Sequence, residues 1–318
     1  MKIIENYTDL NQEYHKSVVA IGNFDGIHNG HKALIRKVVQ LANQNARLAG
    51  LITFTPHPRV FFSGEKNFSQ INDEVTKQDI LSRQDLDILF KIKFNKQLSL
   101  MPPDVFFNHV LKNGINVSHI IVGSDFKFGY KRSGNIEILK YLSKENNIGF
   151  DVIEKQANSL SKTYSSSSIR EYLLQGNIAE VNKMLGHYWY TMGVVITGAN
   201  KGNQIGYPTI NIRLDGSIKF AHGIYATNVY IDSKRYQGAT YYGKRPTYEG
   251  TEEFLETYIF DFNSNIYDHE VKIEFIDFVR YDQTYESDNK LKNQMKIDCE
   301  NVLIKLQYYD KKFSLLDK

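Results

Sequence analysis

The sequence predicts two domains of different fold class, an α/β domain with a parallel sheet and an antiparallel β-barrel that ends in a helix. Apolar strands alternate with amphipathic helices through residues 1–184, the pattern of a parallel sheet covered by helices on both faces. Residues 189–278 contain short runs rich in β-branched and aromatic residues, separated by turn signals, which is typical of an antiparallel barrel. A final helix is predicted over residues 289–307. We place the boundary at residue 186, which gives domains 1–185 and 186–318.

The composition excludes several classes of protein. Of 318 residues, 42% are hydrophobic and 24% are charged, as in ordinary globular proteins. The net charge of +3 is too small to indicate a nucleic-acid partner, and no apolar run has the length of a membrane span. The single cysteine, Cys299, cannot form an internal disulfide, and no signal peptide is recognisable. We expect a cytoplasmic protein that binds neither nucleic acid nor membrane.

The N-terminal half is organised around one strand, one turn and one helix. Residues 18–21 are an apolar run that predicts a buried strand, and residues 32–41 have one apolar helical face. A strand–turn–helix of this kind presents backbone N–H groups to phosphate at the helix N-terminus. The turn supplies these candidate site residues: Gly22, Asn23, Phe24, Asp25, His28 and His31.

Two histidines in a turn are more often structural or solvated than catalytic. The strand before them, the helix after them and the neighbouring Asn23 and Asp25 favour a functional site. Histidine donors suit a nucleotide α-phosphate, because charge builds on its oxygens during attack. Zinc is not indicated, since neither a cysteine nor a further placed carboxylate accompanies the His-x-x-His spacing.

Two later loops of this half follow predicted strands and contain candidate site residues. Residues 55–58 read Thr-Pro-His-Pro, a rigid loop around His57 that is either a ligand loop or a simple strand terminator. After the strand at residues 120–122, Asp125 could hold a ribose hydroxyl or a cation, and Phe126 and Phe128 could wall a flat ring; a charged surface loop is the alternative.

Residues 76–91 and 103–111 are predicted to be helical.

A serine run follows the strand predicted at residues 150–153. Ser168 and Glu171 have the spacing of a capping box, so a helix is predicted to start there. Hydroxyls, free N–H groups and an arginine at a helix N-terminus suit a triphosphate, whereas a serine run alone is more often a linker. The candidates here are Ser165, Ser166, Ser167 and Arg170.

The second half carries a glycine-rich motif at residues 202–211. Gly202 and Gly206 let the backbone approach phosphate, and Thr209 and Asn211 offer oxygens for Mg²⁺. A glycine-rich hairpin loop with no ligand is the alternative. Both readings stay open on the residues alone.

Taken together, the motifs resemble one known family, the bacterial bifunctional riboflavin kinase/FMN adenylyltransferases (FAD synthetases). Residues 22–31 match Gly-x-Phe-Asp-Gly-x-His-x-Gly-His of the nucleotidyltransferase superfamily, and residues 53–58, 123–134 and 165–170 match further motifs of the family. Residues 198–211 resemble the riboflavin kinase motif that ends in Gly-[Phe/Tyr]-Pro-Thr-x-Asn. The resemblance covers nearly the whole chain, with at least six motifs in the family's order.

This resemblance implies a nucleotidyltransferase-like, Rossmann-like N-terminal domain and a riboflavin kinase barrel. It implies that riboflavin and ATP give FMN and ADP, and that FMN and a second ATP give FAD and pyrophosphate, with Mg²⁺ as cofactor. The catalytic residues would be His28, His31 and Glu256, a strand carboxylate suited to accept the proton of the riboflavin 5′-hydroxyl. The resemblance places the flavin near His57, Asp125, Phe126 and Phe128. It places nucleotide at Asn23, Asp125, Ser165 and Arg170 in the first domain, and at the 202–211 motif, Pro208 included, in the second.

The sequence departs from the family pattern at several positions. Ser167 stands where threonine is usual, and Asn203, Ile210 and Tyr241 replace a basic, a small and an Asn or Ser residue. Tyr241 could crowd the flavin or the nucleotide. Two alternatives therefore stay open: an adenylyltransferase whose kinase domain only binds flavin, and a non-catalytic flavin- or RNA-binding regulator. Self-association is also left open.

Overall fold

The computed structural model describes residues 1–8, 10–64, 67–154, 164–198, 202, 206–247 and 250–309. Contacts divide the chain into two compact units. The first comprises Met1–Phe68 and Lys77–Ser165, and the second comprises Ser69–Thr76 and Ser166–Lys318. The compact second unit thus begins earlier than residue 186, and the functional boundary at that residue stays a prediction.

The first unit contains a parallel sheet, as predicted, and the sheet has six strands. Its strands are β1 (Lys2–Ile4), β2 (Val18–Ile21), β3 (Ala49–Thr55), β4 (Ile88–Lys93), β5 (His119–Gly123) and β6 (Gly149–Ile153). They lie in the order β1-β4-β3-β2-β5-β6, and every neighbouring pair is parallel. Because β2 lies between β3 and β5, the loops that follow these three strands meet at one edge of the sheet, where open α/β sheets bind ligands.

The helices of the N-terminal part are α1 (Asn29–Gln44), α2 (Pro58–Ser63), α3 (Glu74–Ser82), α4 (Lys96–Ser99), α5 (Pro103–Phe106), followed by a π-helical segment (Phe107–Gly114), and α6 (Ile136–Glu145). The prediction of one helix over residues 76–91 was wrong in its second half. Helix α3 ends at Ser82, and residues 88–93 form strand β4 between β1 and β3. Ile88, Leu89 and Phe90 are buried there, because apolar neighbours cover both faces of a central parallel strand.

The second unit contains a closed antiparallel barrel, also as predicted. Helices α7 (Ser166–Leu174) and α8 (Ile178–Leu185) precede it, and Gly186 ends α8 with φ +69°. The barrel strands are β7 (Trp189–Ile196), β8 (Thr209–Arg213), β9 (Gly223–Ile231), β10 (Lys234–Thr247), β11 (Gly250–Ile259) and β12 (Glu270–Tyr281), closed in the order β10-β11-β8-β7-β12-β9. Helix α9 (Asp288–Tyr309) follows. Helix α7 begins at Ser166, two residues before the predicted start, so Ser168 lies inside it.

Alternate residues of the barrel strands face opposite sides, and this decides where the candidate residues lie. Ile212, Leu255 and Thr257 are buried inside the barrel, where the Thr257 and Thr240 hydroxyls are 2.9 Å apart. The residues that alternate with them, Asn211 on β8 and Glu256 on β11, therefore lie on the outer surface. Helix α9 packs against β9, β10 and β12 elsewhere on that surface.

Among the described residues, no helix is both long enough and apolar enough to cross a membrane.

Candidate active sites

The turn between β2 and α1 has an unusual backbone. Phe24 and Ile27 adopt φ values of +47° and +32°, and Gly26 between them adopts +81°. Side chains rarely adopt such values without compensation, and here both Phe24 and Ile27 are completely buried, so core packing holds the turn. The Thr53 hydroxyl on β3 donates to the Asn23 carbonyl (3.2 Å) and ties the turn to the sheet. Asp25 is buried, with 4% of its surface exposed.

His28 and His31 form one stacked pair at the N-terminus of α1. His28 is the N-cap, and its Nδ1 accepts the backbone N–H of His31 (3.3 Å). The two rings are 3.8 Å apart between centroids and nearly parallel, and Phe24 packs against His31. Because Nδ1 of His28 is an acceptor, the proton of the neutral ring is on Nε2, which leaves Nε2–H as a donor. Nδ1 of His31 is buried and has no hydrogen-bond partner in the described part of the chain.

The environment keeps His31 neutral. Burial lowers the pKa of His31 well below 6.5, and the positive charges of a protonated His28 and of Lys77 lower it further. Lys77 on α3 is itself buried, with 5% of its surface exposed. We did not single out Lys77 from the sequence, where it carries no motif signal. A neutral imidazole with a buried nitrogen and a lysine nearby suits an anionic ligand that the histidine contacts by hydrogen bonding.

Gly30 allows this histidine pair to form. A Cβ at Gly30 would lie 3.0 Å from Cε1 and 3.1 Å from Nδ1 of His28, so a side chain would press on the ring. The Tyr164 carbonyl lies 3.9 Å from the same point. Ser165 is the next residue after this carbonyl in the chain.

The remaining serine candidates lie at the start of α7. Ser166 and Ser167 occupy its first turn, with Ser167 exposed. The Nε of Arg170 donates to the Ser69 carbonyl (2.6 Å), so part of its guanidinium binds the protein itself. Sequence reasoning gave Arg170 only a ligand role, because the Ser69 partner is 101 residues away.

His57 acts on the shape of its own loop. Its Nδ1 accepts the Arg59 N–H (3.1 Å) and caps α2, and its ring stacks on Phe68 at 4.7 Å. Only 6% of its surface is exposed. The ring face against Phe68 is closed to a flavin, so any contribution of His57 to binding comes from its position in the loop or from its other edge.

Phe126 and Phe128, the two phenylalanines predicted to contact the flavin, both lie in the loop after β5 but differ in burial. Phe128 is 7% exposed, packs against Phe106 at 5.8 Å, and covers Gly134, so it belongs to the hydrophobic core. Phe126 stacks on Phe128 at 5.7 Å and stays half-buried, while Asp125 is exposed. Phe126 and Asp125 are thus the accessible candidates of this loop.

Sequence reasoning missed an aromatic patch that lies beside the His57 loop. It consists of Phe61 and Phe62 on α2 and Phe94 after β4, whose ring centroids are 5.2–5.9 Å apart. Phe62 is 70% exposed and Phe61 38% exposed, which is uncommon for phenylalanine in a monomer surface. The adjacent Phe61 and Phe62, three and four residues after Pro58, were the available signal.

In the barrel, Glu256 and Asn211 are directly opposite each other on antiparallel strands β11 and β8. Asn211 is 6% exposed, and its Oδ1 is buried without a hydrogen-bond partner among the residues that the structure describes. An orphaned amide oxygen is costly unless a ligand satisfies it. The place beside Glu256 therefore fits an external donor or cation.

The glycines of the 198–211 motif bring the chain against these side chains. A Cβ at Gly198 would collide with the Asn211 amide, and a Cβ at Gly202 would collide with the Tyr207 carbonyl and lie 3.2 Å from Thr209 Oγ1. The Tyr207 N–H donates to the Gly202 carbonyl (2.8 Å) and closes the loop.

Gly206 adopts φ +90°, which favours glycine, and Pro208 is exposed. Ile210 lies on β8 between Thr209 and Asn211. Asn203 lies outside the described residues.

Tyr241 lies opposite Glu256 on the other neighbouring strand, β10. Its hydroxyl donates to Asp282 Oδ2 (3.0 Å). Burial raises the pKa of Tyr241, and the negative charges of Asp282 and Glu256 raise it further, so the hydroxyl is a neutral donor.

No cluster of three or more His, Cys, Asp or Glu side chains that could hold a metal occurs in the described part of the chain. A cation at the barrel site would instead take oxygens of Thr209 and Asn211 together with substrate phosphate, a donor set typical of Mg²⁺. The orphaned Asn211 Oδ1 fits that donor set.

Comparisons with known proteins identify the family of both halves of the chain. Residues 10–168 match the family model of FAD synthetase, and residues 185–306 match that of riboflavin kinase. The bifunctional riboflavin kinase/FMN adenylyltransferase of Buchnera aphidicola subsp. Schizaphis graminum is 32% identical over 95% of this chain and 98% of its own. The protein of that name from Haemophilus influenzae is 33% identical over 94% and 97%. A crystal structure described as a macrolide-efflux protein from Streptococcus pneumoniae superposes with a TM-score of 0.83 and 30% identity, over 95% of this chain and 98% of its own. The chain therefore belongs to the family of bifunctional riboflavin kinase/FMN adenylyltransferases.

Proposed function

We propose that this protein makes FAD from riboflavin in two ATP-dependent steps. Residues 186–318 phosphorylate riboflavin to FMN and release ADP, and residues 1–185 adenylylate FMN and release pyrophosphate. The observation that carries the proposal is that the chain contains two candidate sites for binding phosphate groups. One is the stacked His28–His31 pair at a helix N-terminus, and the other is the Asn211–Glu256 pair on adjacent strands.

In the kinase step, Glu256 accepts the proton of the riboflavin 5′-hydroxyl. The 5′-oxygen forms a bond to the γ-phosphorus of ATP, the bond from that phosphorus to the β–γ bridging oxygen breaks, and ADP leaves. Thr209 and Asn211 would hold Mg²⁺, which neutralises charge on the phosphates. Gly202, Gly206 and Pro208 shape the loop that lies along the nucleotide. The orphaned Oδ1 of Asn211 supports this assignment, because a ligand there removes an unpaired buried acceptor.

In the adenylylation step, the FMN phosphate needs no base, since it is already ionised. It attacks the α-phosphorus of ATP, and pyrophosphate leaves. His28, through Nε2–H, and neutral His31 donate hydrogen bonds to the α-phosphate, where charge develops, together with backbone N–H groups of the first turn of α1. Gly22, Asn23, Phe24 and Asp25 shape the turn that approaches the nucleotide. Ser165, Ser166, Ser167 and Arg170 bind the leaving phosphates.

For the flavin of this step we propose the sheet edge beside His57. The aromatic patch offers an exposed apolar surface to the flat isoalloxazine, with Phe126 as a second wall. Asp125 is exposed and offers its carboxylate to a ribose or ribityl hydroxyl. Phe128 contributes by supporting Phe126 from the core. We further propose that the protein works in the cytoplasm and needs no nucleic acid.

The test is product chromatography after incubation of the purified chain with ATP, Mg²⁺ and either riboflavin or FMN. FAD from both flavins is the expected result. FAD from FMN alone would mean that the barrel binds flavin without turnover. No product from either flavin, combined with tight flavin binding, would replace the proposal with a non-catalytic flavin-binding protein.

A further inference from the structure

The proposed kinase site has two sides that differ in structure, one at Asn211 and the other at Tyr241. Glu256 on β11 lies between Asn211 on β8 and Tyr241 on β10, each directly opposite it in the strand register. Side chains on adjacent strands are spaced by about 5 Å, so the three form one row across the outer barrel surface. Thr209 and two described glycines of the motif, Gly198 and Gly202, lie on the Asn211 side of this row.

In-line phosphoryl transfer assigns a substrate to each side. The attacking oxygen and the leaving oxygen lie on opposite sides of the γ-phosphorus. Because the nucleotide is held on the Asn211 side, the flavin alcohol must approach Glu256 from the side of Tyr241. This step rests on the kinase activity proposed above.

The Tyr241 side is built to receive a flat ring. The Tyr241 ring lies 6.0 Å from the ring of Phe254, which precedes Glu256 by two residues on β11, at an interplanar angle of 69°. The two rings form an aromatic corner next to the carboxylate. Edge-on and stacked contacts with such a corner stabilise a planar aromatic ligand.

A hydrogen bond to Asp282 orients the Tyr241 ring. Asp282 follows β12, and its backbone N–H donates to the His222 carbonyl (3.2 Å), which places its carboxylate two strands away from β10. The Tyr241 hydroxyl reaches across to that carboxylate (3.0 Å) and passes over Gly243, whose missing side chain leaves the space for it. With this contact, the ring lies along its strand.

We propose that Tyr241 is a specificity-determining residue that contacts the isoalloxazine of riboflavin in the kinase site, and that Asp282 is the positioning residue that orients it.

The test measures KM for riboflavin and for ATP in Tyr241→Phe, Asp282→Ala and the double variant, with Tyr236→Phe as a matched control at the other end of β10. Riboflavin binding without ATP is measured in parallel by quenching of its fluorescence. Loss of one orienting hydrogen bond corresponds to about a fivefold rise in KM for riboflavin and in its Kd. We expect that rise in both single variants, no further rise in the double variant, and an unchanged KM for ATP. Tyr241→Ser, which also removes the ring, should weaken riboflavin binding further.

Four results would overturn the proposal while leaving the kinase function intact. The first is normal riboflavin affinity in Tyr241→Phe. The second is tighter riboflavin binding in Tyr241→Ser, which would show that the ring obstructs the flavin. The third is additive effects in the double variant, since residues that act through one contact are not additive. The fourth is an equal rise of both KM values together with a lower melting temperature, which would indicate a structural role. If the unaltered chain binds riboflavin but makes no FMN, the kinase function fails and the binding measurements still decide the role of Tyr241.

Discussion

Replacing Gly30 by alanine should slow FAD synthesis without lowering the stability of the fold. The added Cβ would lie 3.0 Å from Cε1 and 3.1 Å from Nδ1 of His28. Carbon atoms prefer a separation of about 3.5 Å or more, so the His28 ring must move by about 0.5 Å. That movement disturbs both the His31 N–H···His28 bond and the 3.8 Å stack of the two rings.

The substitution should not lower the stability of α1, but it should lower the rate of FAD formation. Alanine is favoured over glycine inside a helix by up to about 1 kcal/mol, so α1 should not lose stability. A displacement of about 1 Å at a catalytic group costs roughly 100-fold in rate, so a shift of half that size should slow FAD formation from FMN by about tenfold, or about 1.4 kcal/mol. FMN formation from riboflavin should not change.

The assay compares Gly30→Ala with Gln40→Ala, an exposed position on the same helix. FAD and FMN formation are followed by chromatography, and unfolding is followed by urea titration. Wild-type FAD formation in Gly30→Ala would refute the role of the histidine pair. A loss of both activities with lower stability would show that the substitution damages the fold instead.

Four further experiments test the remaining assignments. His31→Ala should reduce FAD formation by at least about 100-fold and spare FMN formation, because it removes a donor at the transition state; a change within a few-fold would contradict the mechanism. Glu256→Gln should reduce FMN formation by about 100-fold or more and spare FAD formation from FMN; full kinase turnover would exclude Glu256 as the base. The free energy of unfolding should fall as the pH falls from 7 to 5, because the unfolded chain protonates His31 while its lowered pKa in the fold resists protonation, with a slope of at most about 1.4 kcal/mol per pH unit for this group; a His31→Gln variant with the same slope would contradict this. Trp189→Phe removes the Nε1–H···O bond to Ile71 (2.8 Å) and should cost about 2 kcal/mol in urea unfolding, whereas an unchanged midpoint would show that the bond adds nothing.

Local patterns predicted most of the fold because the decisive signals lie within short segments. The apolar run at residues 18–21 and the amphipathic helix after it gave β2 and α1, and the alternation of strands with helices gave the parallel sheet. The prediction failed at residues 88–93, where the apolar spacing fits a helix and a strand equally well. Only pairing with β1 and β3 decides that segment, and both partners are distant in sequence.

For the candidate sites as well, some properties could be predicted from the sequence and others could not. Motif spacing identified His28, His31 and Asn211 as candidates, and the family resemblance added Glu256. Spacing could not show that the histidine rings stack or that Asn211 Oδ1 is buried without a partner among the described residues, because those properties depend on what packs around them.

By itself, the sequence determined the two fold classes, because backbone propensity and apolar periodicity are local properties of the chain, and the resemblance of its motifs identified the family. The tertiary structure alone decided that Phe128 is a core residue, that Arg170 binds the Ser69 carbonyl, and that Tyr241 is oriented by Asp282. Each of these outcomes depends on residues that folding brings together from distant positions, and no local pattern records such a contact.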